Sequence, residues 1–254
     1  MSAVLRAGRA ELAAMLLGRR LWIAVAIAVV GSALAGLAVG GLLSRAAASS
    51  DLEAATAIVA RGSAAQLAIV VLASLGVAGP YRDGAWMHAA LAHPRPARRL
   101  ALTAVPMLVP ALLLAAVSSA AAVAGAAVLV RPSLGAILTA TGVHLAASTA
   151  WAAWMAALAH ATRSPMLVLA VGLALPLIVE PAISGALVAA GLDGLRWLLP
   201  CHALRALAEG IVADGAVLAP IGDDAVRVAA SAAIGWTAIA VLGAWARLRG
   251  TRPR

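Results

Sequence analysis

The stretch "LWIAVAIAVVGSALAGLAVGGLL", Leu21–Leu43, contains no charged residue. A membrane-crossing helix needs roughly 20 consecutive, mostly apolar residues, and this run meets that requirement. The pattern then repeats along the chain. Gly62–Tyr81, Leu100–Val130, Pro132–Thr162, Pro165–Ala190 and Val228–Ala246 are further apolar runs, the one at Pro165–Ala190 interrupted by Glu180. The spacing predicts an all-α integral membrane protein with six transmembrane helices, forming a single domain over residues 1–254. The runs at Leu100–Val130 and Pro132–Thr162 are long enough to tilt or extend beyond the hydrocarbon. Pro106 and Pro110 are expected to kink the first of these two.

The 254 residues are 64% hydrophobic and only 11% charged, against about 25% charged in soluble domains. All 19 basic residues are arginine, and lysine, asparagine and phenylalanine are absent, a bias that fits a very GC-rich bacterial genome. The pI of about 11.7 raises nucleic acid as a partner. However, the arginines flank apolar runs and no aromatic-interleaved basic face is present to stack bases, so membrane orientation explains the charge. The single cysteine, Cys201, excludes an intrachain disulfide framework, and no CxxC or Cys/His cluster points to a metal. The first apolar run exceeds a signal-peptide core and lacks a small-residue cleavage site, so it is expected to remain as an anchor.

Six spans place both termini on one side. That side carries Arg6, Arg9, Arg19, Arg20, Arg82, Arg95, Arg98, Arg99, Arg163, Arg247, Arg249, Arg252 and Arg254. The other side carries Arg45, Arg61, Arg131, Arg196, Arg205 and Arg227, with the acids Asp51, Glu53, Asp193, Glu209, Asp214, Asp223 and Asp224. The positive-inside rule puts the first group, and both termini, in the cytoplasm. Tyr81, Trp22 and Trp245 then fall near inner ends of spans and Trp197 near an outer end, as an aromatic belt requires.

Before the first span, Val4, Leu5, Leu12, Met15 and Leu16 share one arc of a helical wheel, while Arg6, Arg9 and Arg20 lie largely off it. Residues 1–20 therefore read as an amphipathic interfacial helix. The long outer loop, Gly191–Asp224, is rich in Leu195, Trp197, Leu198, Leu199, Leu204 and Leu207. Such a segment is expected to lie in the interface or dip back into the protein. Cys201 and His202 are adjacent, but no further ligand or base stands at a spacing suited to a metal or nucleophile. The cytoplasmic loop 82–99 contains "DGAWMHAALAHP", long enough for about three helical turns ended by Pro94 and Pro96. Its apolar face and basic end need a surface to pack on, either the membrane or another protein.

At this point the chain resembles the membrane subunits of bacterial ABC exporters of the ABC-2 permease type. In that family the second span leads into a cytoplasmic helix with an acidic residue and Gly-Thr, followed by a "LA-x-P-x-x-R" pattern. Here "YRDGAWMHAALAHPRPARRL" has Asp83 and Gly84, with Ala85 where threonine is usual, and then "LAHPRPARR", Leu91–Arg99. A second stretch, "LAHATRSPMLVLAVGLALPLIVEPAI", Leu158–Ile183, is similar to the family's short arginine-containing turn followed by a span ending in Glu-Pro. The resemblance implies that the loop is a coupling element docking on a separate ATPase, with Tyr81, Arg82, Asp83, Gly84, Leu91, Pro94, Arg95, Arg98 and Arg99 carrying it. It also implies a second permease copy or a paralogue, with ATP and Mg held by the partner ATPase and no cofactor on this chain. The complete absence of lysine agrees, because a P-loop needs one to reach the phosphates.

The expected function is a cytoplasmic-membrane permease that exports a hydrophobic drug, lipid or peptide. Glu180, His144 and Gln66 are the candidate substrate-path residues, since ionisable and amide groups inside a span are costly unless used. Each has a structural alternative: Glu180 as a local cap near the outer interface, and His144 and Gln66 as hydrogen-bonded packing residues. Two other classes compete. One is a stand-alone proton-coupled transporter using Glu180 and His144. The other is a multi-pass membrane enzyme pairing Ser118 or Ser119 with His144, which lacks a G-x-S-x-G elbow or paired carboxylates.

Overall fold

The computed structural model describes residues 9–10, 12–13, 15–45, 50–87, 95–204, 206 and 223–249, and every regular element among them is helical. Helix α1 is Arg19–Leu43 and α2 is Asp51–Arg61. Helix α3 runs from Ala65–Leu72 through a π-helical stretch, Ala73–Ala78, into Gly79–Arg82. Helix α4 is Pro96–Ala126 and α5 is Leu134–Thr162. Helix α6, Pro165–Ala189, widens to a π-helix at Leu175–Val179, and α7 is Asp223–Arg249. A 3₁₀ helix, Asp193–Leu198, lies between α6 and α7.

Local chemistry sets several of these boundaries. Ser50 accepts from the backbone N–H of Glu53, and Asp51 and Glu53 occupy the first turn of α2, where carboxylates favour the positive helix end. The span expected from Gly62 is thus preceded by a helix, and the acids assigned to a loop belong to its start. Pro96 opens α4 rather than only ending the segment before it, since its fixed φ suits a first helical position. Arg98 consequently sits in the first turn of α4, not in the loop. Ser164 caps α6 by accepting from Leu167, with Pro165 at the first position. Gly18, in extended backbone, separates α1 from the helical residues before it. There Met15 is buried in the main core, while Arg9 and Leu17 are exposed. At Met15 the amphipathic arc therefore packs on protein; Val4, Leu5 and Arg6 lie outside the described residues.

Five helices are long and apolar enough to cross a membrane: Arg19–Leu43, Asp51–Arg82, Leu100–Ala126, Pro165–Ala189 and Arg227–Arg249. Six were expected. The exception is α5, whose two histidines, threonines, serine and tryptophans dilute its apolar character. It packs against α2, α3, α4, α6 and α7, and polar groups in a span can be carried by hydrogen bonds to such neighbours.

The most extensive pairing is between α1 and α4. The buried face of α1 is Ala24, Ala28, Ser32, Gly36 and Gly40, a small residue at every fourth position, which lets two backbones approach closely. A Cβ on Gly36 would collide with the carbonyl of Ala122, and one on Gly125 with the carbonyl of Ala33. Gly62, which follows α2, closes on the same place, its Cβ position 3.1 Å from Gly36 Cα.

The helix ends sort into two groups. At one end, Arg20 donates to the Leu75 carbonyl, Ser74 donates to the Pro165 carbonyl at 2.9 Å, and Arg163 donates to the Arg247 carbonyl at 2.9 Å. This gathers the start of α1, the last turns of α3, the end of α5, the start of α6 and the end of α7. At the other end, the Ser133 N–H before α5 donates to Asp51 of α2 at 3.2 Å, and Trp236 of α7 donates to the Leu198 carbonyl at 2.8 Å.

Candidate functional site

At the arginine-rich end, α3 stops at Arg82 and the chain turns through Asp83 and Gly84. Gly84 has φ +73°, a left-handed conformation that costs other residues about 1–2 kcal/mol. Arg82 and Asp83 pair at 3.2 Å but stay exposed, a surface contact of small energetic weight. Arg95 is exposed immediately before α4. Arg98 is half-buried, and its Nε is enclosed without a hydrogen-bond partner. Leu91, Pro94 and the side chain of Arg99 lie outside the described residues, as does most of the expected coupling helix. Trp86 and Met87, at its start, are helical.

The two ends of this segment are joined through a residue not singled out in the sequence. His160, buried in the last turn of α5, meets the Tyr81 hydroxyl through Nδ1 at 2.7 Å and the Thr103 hydroxyl through Nε2 at 2.6 Å. Tyr81 closes α3, while Thr103 lies two turns into α4. Both hydroxyls can donate or accept, so either neutral tautomer satisfies the pair. Beside them Arg163 adopts φ 56° and ends α5. Its guanidinium lies 5.5 Å from the Tyr81 ring and 5.6 Å from the Trp86 ring, and the two rings stack at 5.9 Å. Each cation–π contact contributes about 0.5–1 kcal/mol, which offsets the left-handed backbone. In the sequence Arg163 counts for its charge and as the arginine of the short turn before the next span, with no partner named for it. The available signal was its place between a long helix and Ser-Pro, where a C-terminal turn is required.

A second polar cluster surrounds the interruption between α2 and α3. Ser32 accepts from the Ala64 N–H at 2.8 Å, and Ser63 meets His144 Nε2 at 2.9 Å. Ser148 approaches the same nitrogen at 3.5 Å. Gln66 takes part through its main-chain carbonyl, not the side-chain amide that made it a candidate: that carbonyl accepts from Trp151 Nε1 at 3.2 Å. His144 and Gln66 therefore both tie α5 to the start of α3. His144 bonds Ser63 and Ser148, not Ser118 or Ser119. Ser119 donates to Ala115 within its own helix, and Ser118 Oγ is buried without a partner.

Glu180 stands apart from both. It is 1% exposed, within the far half of α6. One carboxylate oxygen accepts from the Cys201 N–H at 2.7 Å. The other accepts from the His202 N–H at 3.0 Å and meets His202 Nδ1 at 3.0 Å. The carboxylate thus caps the turn at 200–204, whose Cys201 and Leu204 enter the main core. Among the described residues of the 191–224 segment, this turn dips into the protein, while Leu195 and Leu198 remain exposed. Glu209, Asp214 and Leu207 lie outside the described residues. Among the described residues no group of three His, Cys, Asp or Glu side chains could hold a metal ion. Comparison with protein-family models and with curated proteins returns no match.

Proposed function

We propose that the chain is the membrane-spanning permease subunit of an ABC-2 type exporter in a bacterial cytoplasmic membrane. Its six long helical rods cross the membrane, with both termini in the cytoplasm, and α5 crosses as the least apolar of them. A separate ATPase binds ATP and Mg and docks on segment 82–95, and a second permease copy or a paralogue completes the transport path. The cargo is a hydrophobic drug, lipid or peptide. The observation that carries this reading is the anchoring of Tyr81 and Thr103, on either side of that segment, on His160. A docking segment must be held by the helices it is to move, and this one is fastened to α5 at the end of the bundle where Arg20, Arg98, Arg163 and Arg247 gather. That concentration of arginine also supports the cytoplasmic assignment of this end.

The test is a mild-detergent pull-down of the tagged protein from native membranes, with ATPase activity measured on the eluate. Wild type is compared with the Arg82→Glu, Arg95→Glu double variant, both positions being exposed. An ATPase that co-purifies with wild type and is lost from a folded variant supports the docking role. No ATPase with wild type overturns the permease reading and turns attention to a transporter that works alone.

A further inference from the structure

The outward face of α7 changes character at its end. Ala229, Ala244 and Leu248 are buried in the bundle, which α7 meets at α4, α5 and the 3₁₀ helix. On the opposite side Ile239 is 62% and Leu242 is 59% exposed, and Ala246 and Arg249 are also exposed. Intervals of three, four and three residues align these four side chains along one side of a helix. An apolar strip thus ends at a guanidinium. From Ile239 to Arg249 it is about 15 Å long, the depth of one leaflet in a hydrocarbon core about 30 Å thick.

Arg249 is held ready for an anion. Its guanidinium lies 3.6 Å from the centre of the Trp245 ring, one turn earlier in α7. Such stacking uses the flat face of the guanidinium and leaves the N–H groups at its edge free for a phosphate. The charge around it has one sign. Arg163, at the end of α5, donates to the Arg247 carbonyl at 2.9 Å, which brings a second guanidinium to the last turn of α7. The side chain of Arg247 is exposed there too. Among the described residues the acid at this end of the bundle is Asp83, and it pairs with Arg82.

We propose that this end of α7 binds an anionic phospholipid of the inner leaflet. Its phosphate lies on Arg249, Trp245 sits at the level of the headgroup, and one acyl chain follows Ala246, Leu242 and Ile239. Basic groups at the cytoplasmic ends of spans attract lipids of net negative charge. Here the stacked arginine and the apolar strip turn that general attraction into a site of defined shape. The site needs α7 to span the bilayer, and its place in the inner leaflet follows from the cytoplasmic assignment of this end. It does not need an ATPase, so its test is separate from that of the docking role.

The experiment uses the intact chain, purified in detergent with equimolar phosphatidylglycerol and phosphatidylcholine of the same acyl chains. Native mass spectrometry reads the ratio of the two lipids among molecules that retain one. Wild type should favour phosphatidylglycerol, and Arg249→Gln should lower the ratio about fivefold, the weight of one arginine near a charged surface. Arg247→Gln, on another side of the helix, and Arg131→Gln, at the other end of the bundle, should each change it less. Equal retention of the two lipids by wild type, or an unaltered ratio in Arg249→Gln, overturns the site. So does an equal fall in Arg247→Gln or Arg131→Gln, because binding would then follow total charge. In the native-membrane pull-down Arg249→Gln should keep whatever ATPase wild type retains. Loss of that ATPase with an unaltered lipid ratio would give the surface to a protein instead.

Discussion

Glu180 places both carboxylate oxygens on the N-terminal N–H groups and the imidazole of one short turn. Glu180→Gln would retain the size of the side chain but exchange one acceptor for an NH₂ that faces backbone donors. Leaving such a buried donor unsatisfied costs about 1–3 kcal/mol. The expected outcome is faster maleimide labelling of Cys201, now 1% exposed, and a lower unfolding temperature in detergent. Unchanged labelling would mean that the turn holds its place without the carboxylate. The acid itself was legible in the sequence as the one charge inside an apolar run. Its partners were not, because they lie 21 and 22 residues further on, in a stretch whose composition says only that it is apolar. His144 was likewise visible as a polar residue in a span, and Gly62-Ser63 marked a break, yet nothing local joins two residues 81 positions apart.

Among the elements, the α1–α4 contact offers the sharpest substitution test. Gly36→Ala or Gly125→Ala forces a methyl group onto a carbonyl of the facing helix, and overpacking of this kind costs about 1–3 kcal/mol. Gly243→Ala in α7 meets no atom within 4 Å and removes a helix-interior glycine, so it should stabilise by about 0.5–1 kcal/mol. Thermal unfolding of the three purified variants measures the contrast directly. Equal effects at Gly36 and Gly243 would sink the close-packing account. The small residues at 24, 28, 32, 36 and 40 were present in the sequence at a regular interval. They carried no contrast there, since the intervening residues are also apolar and hydropathy does not distinguish glycine facing a helix from leucine facing lipid. The two π-helical stretches were illegible for a related reason. They alter hydrogen-bond register without changing composition. By contrast, the Ser50–Asp51–Glu53 cap was a readable helix start, lost because those acids had been assigned to an outer loop.

On the scale of the whole molecule, the six-span proposal predicts that α5 crosses the membrane with the five more apolar helices. In right-side-out vesicles, an impermeant maleimide should label Arg131→Cys and Asp193→Cys, introduced in a Cys201→Ser background, and should not label Arg95→Cys or Arg249→Cys until the membrane is opened. If α5 does not cross, both of its ends stay outside and the chain after it is inverted: Arg131→Cys still labels, Arg249→Cys labels in intact vesicles, Asp193→Cys labels only after opening, and the count returns to five. The all-helical, multi-run character was plain from charge-free intervals alone. The arrangement of the runs was not, because it depends on which polar groups find one another across helices.

The hydrogen bonds of α5 bear on how the chain is assembled during synthesis. A segment bearing His144 and His160 enters lipid poorly by itself, and it needs a polar reception. Ser63, Gln66, Tyr81 and Thr103, the groups that satisfy α5 through hydrogen bonds, all precede it in the chain. Among the described residues, Trp154 with Thr237 and Arg163 with Arg247 await later residues. As the ribosome delivers α5, its receiving surface has already been made. In the six-span reading, the first half of the protein therefore acts as an intramolecular escort for the least apolar of the helices.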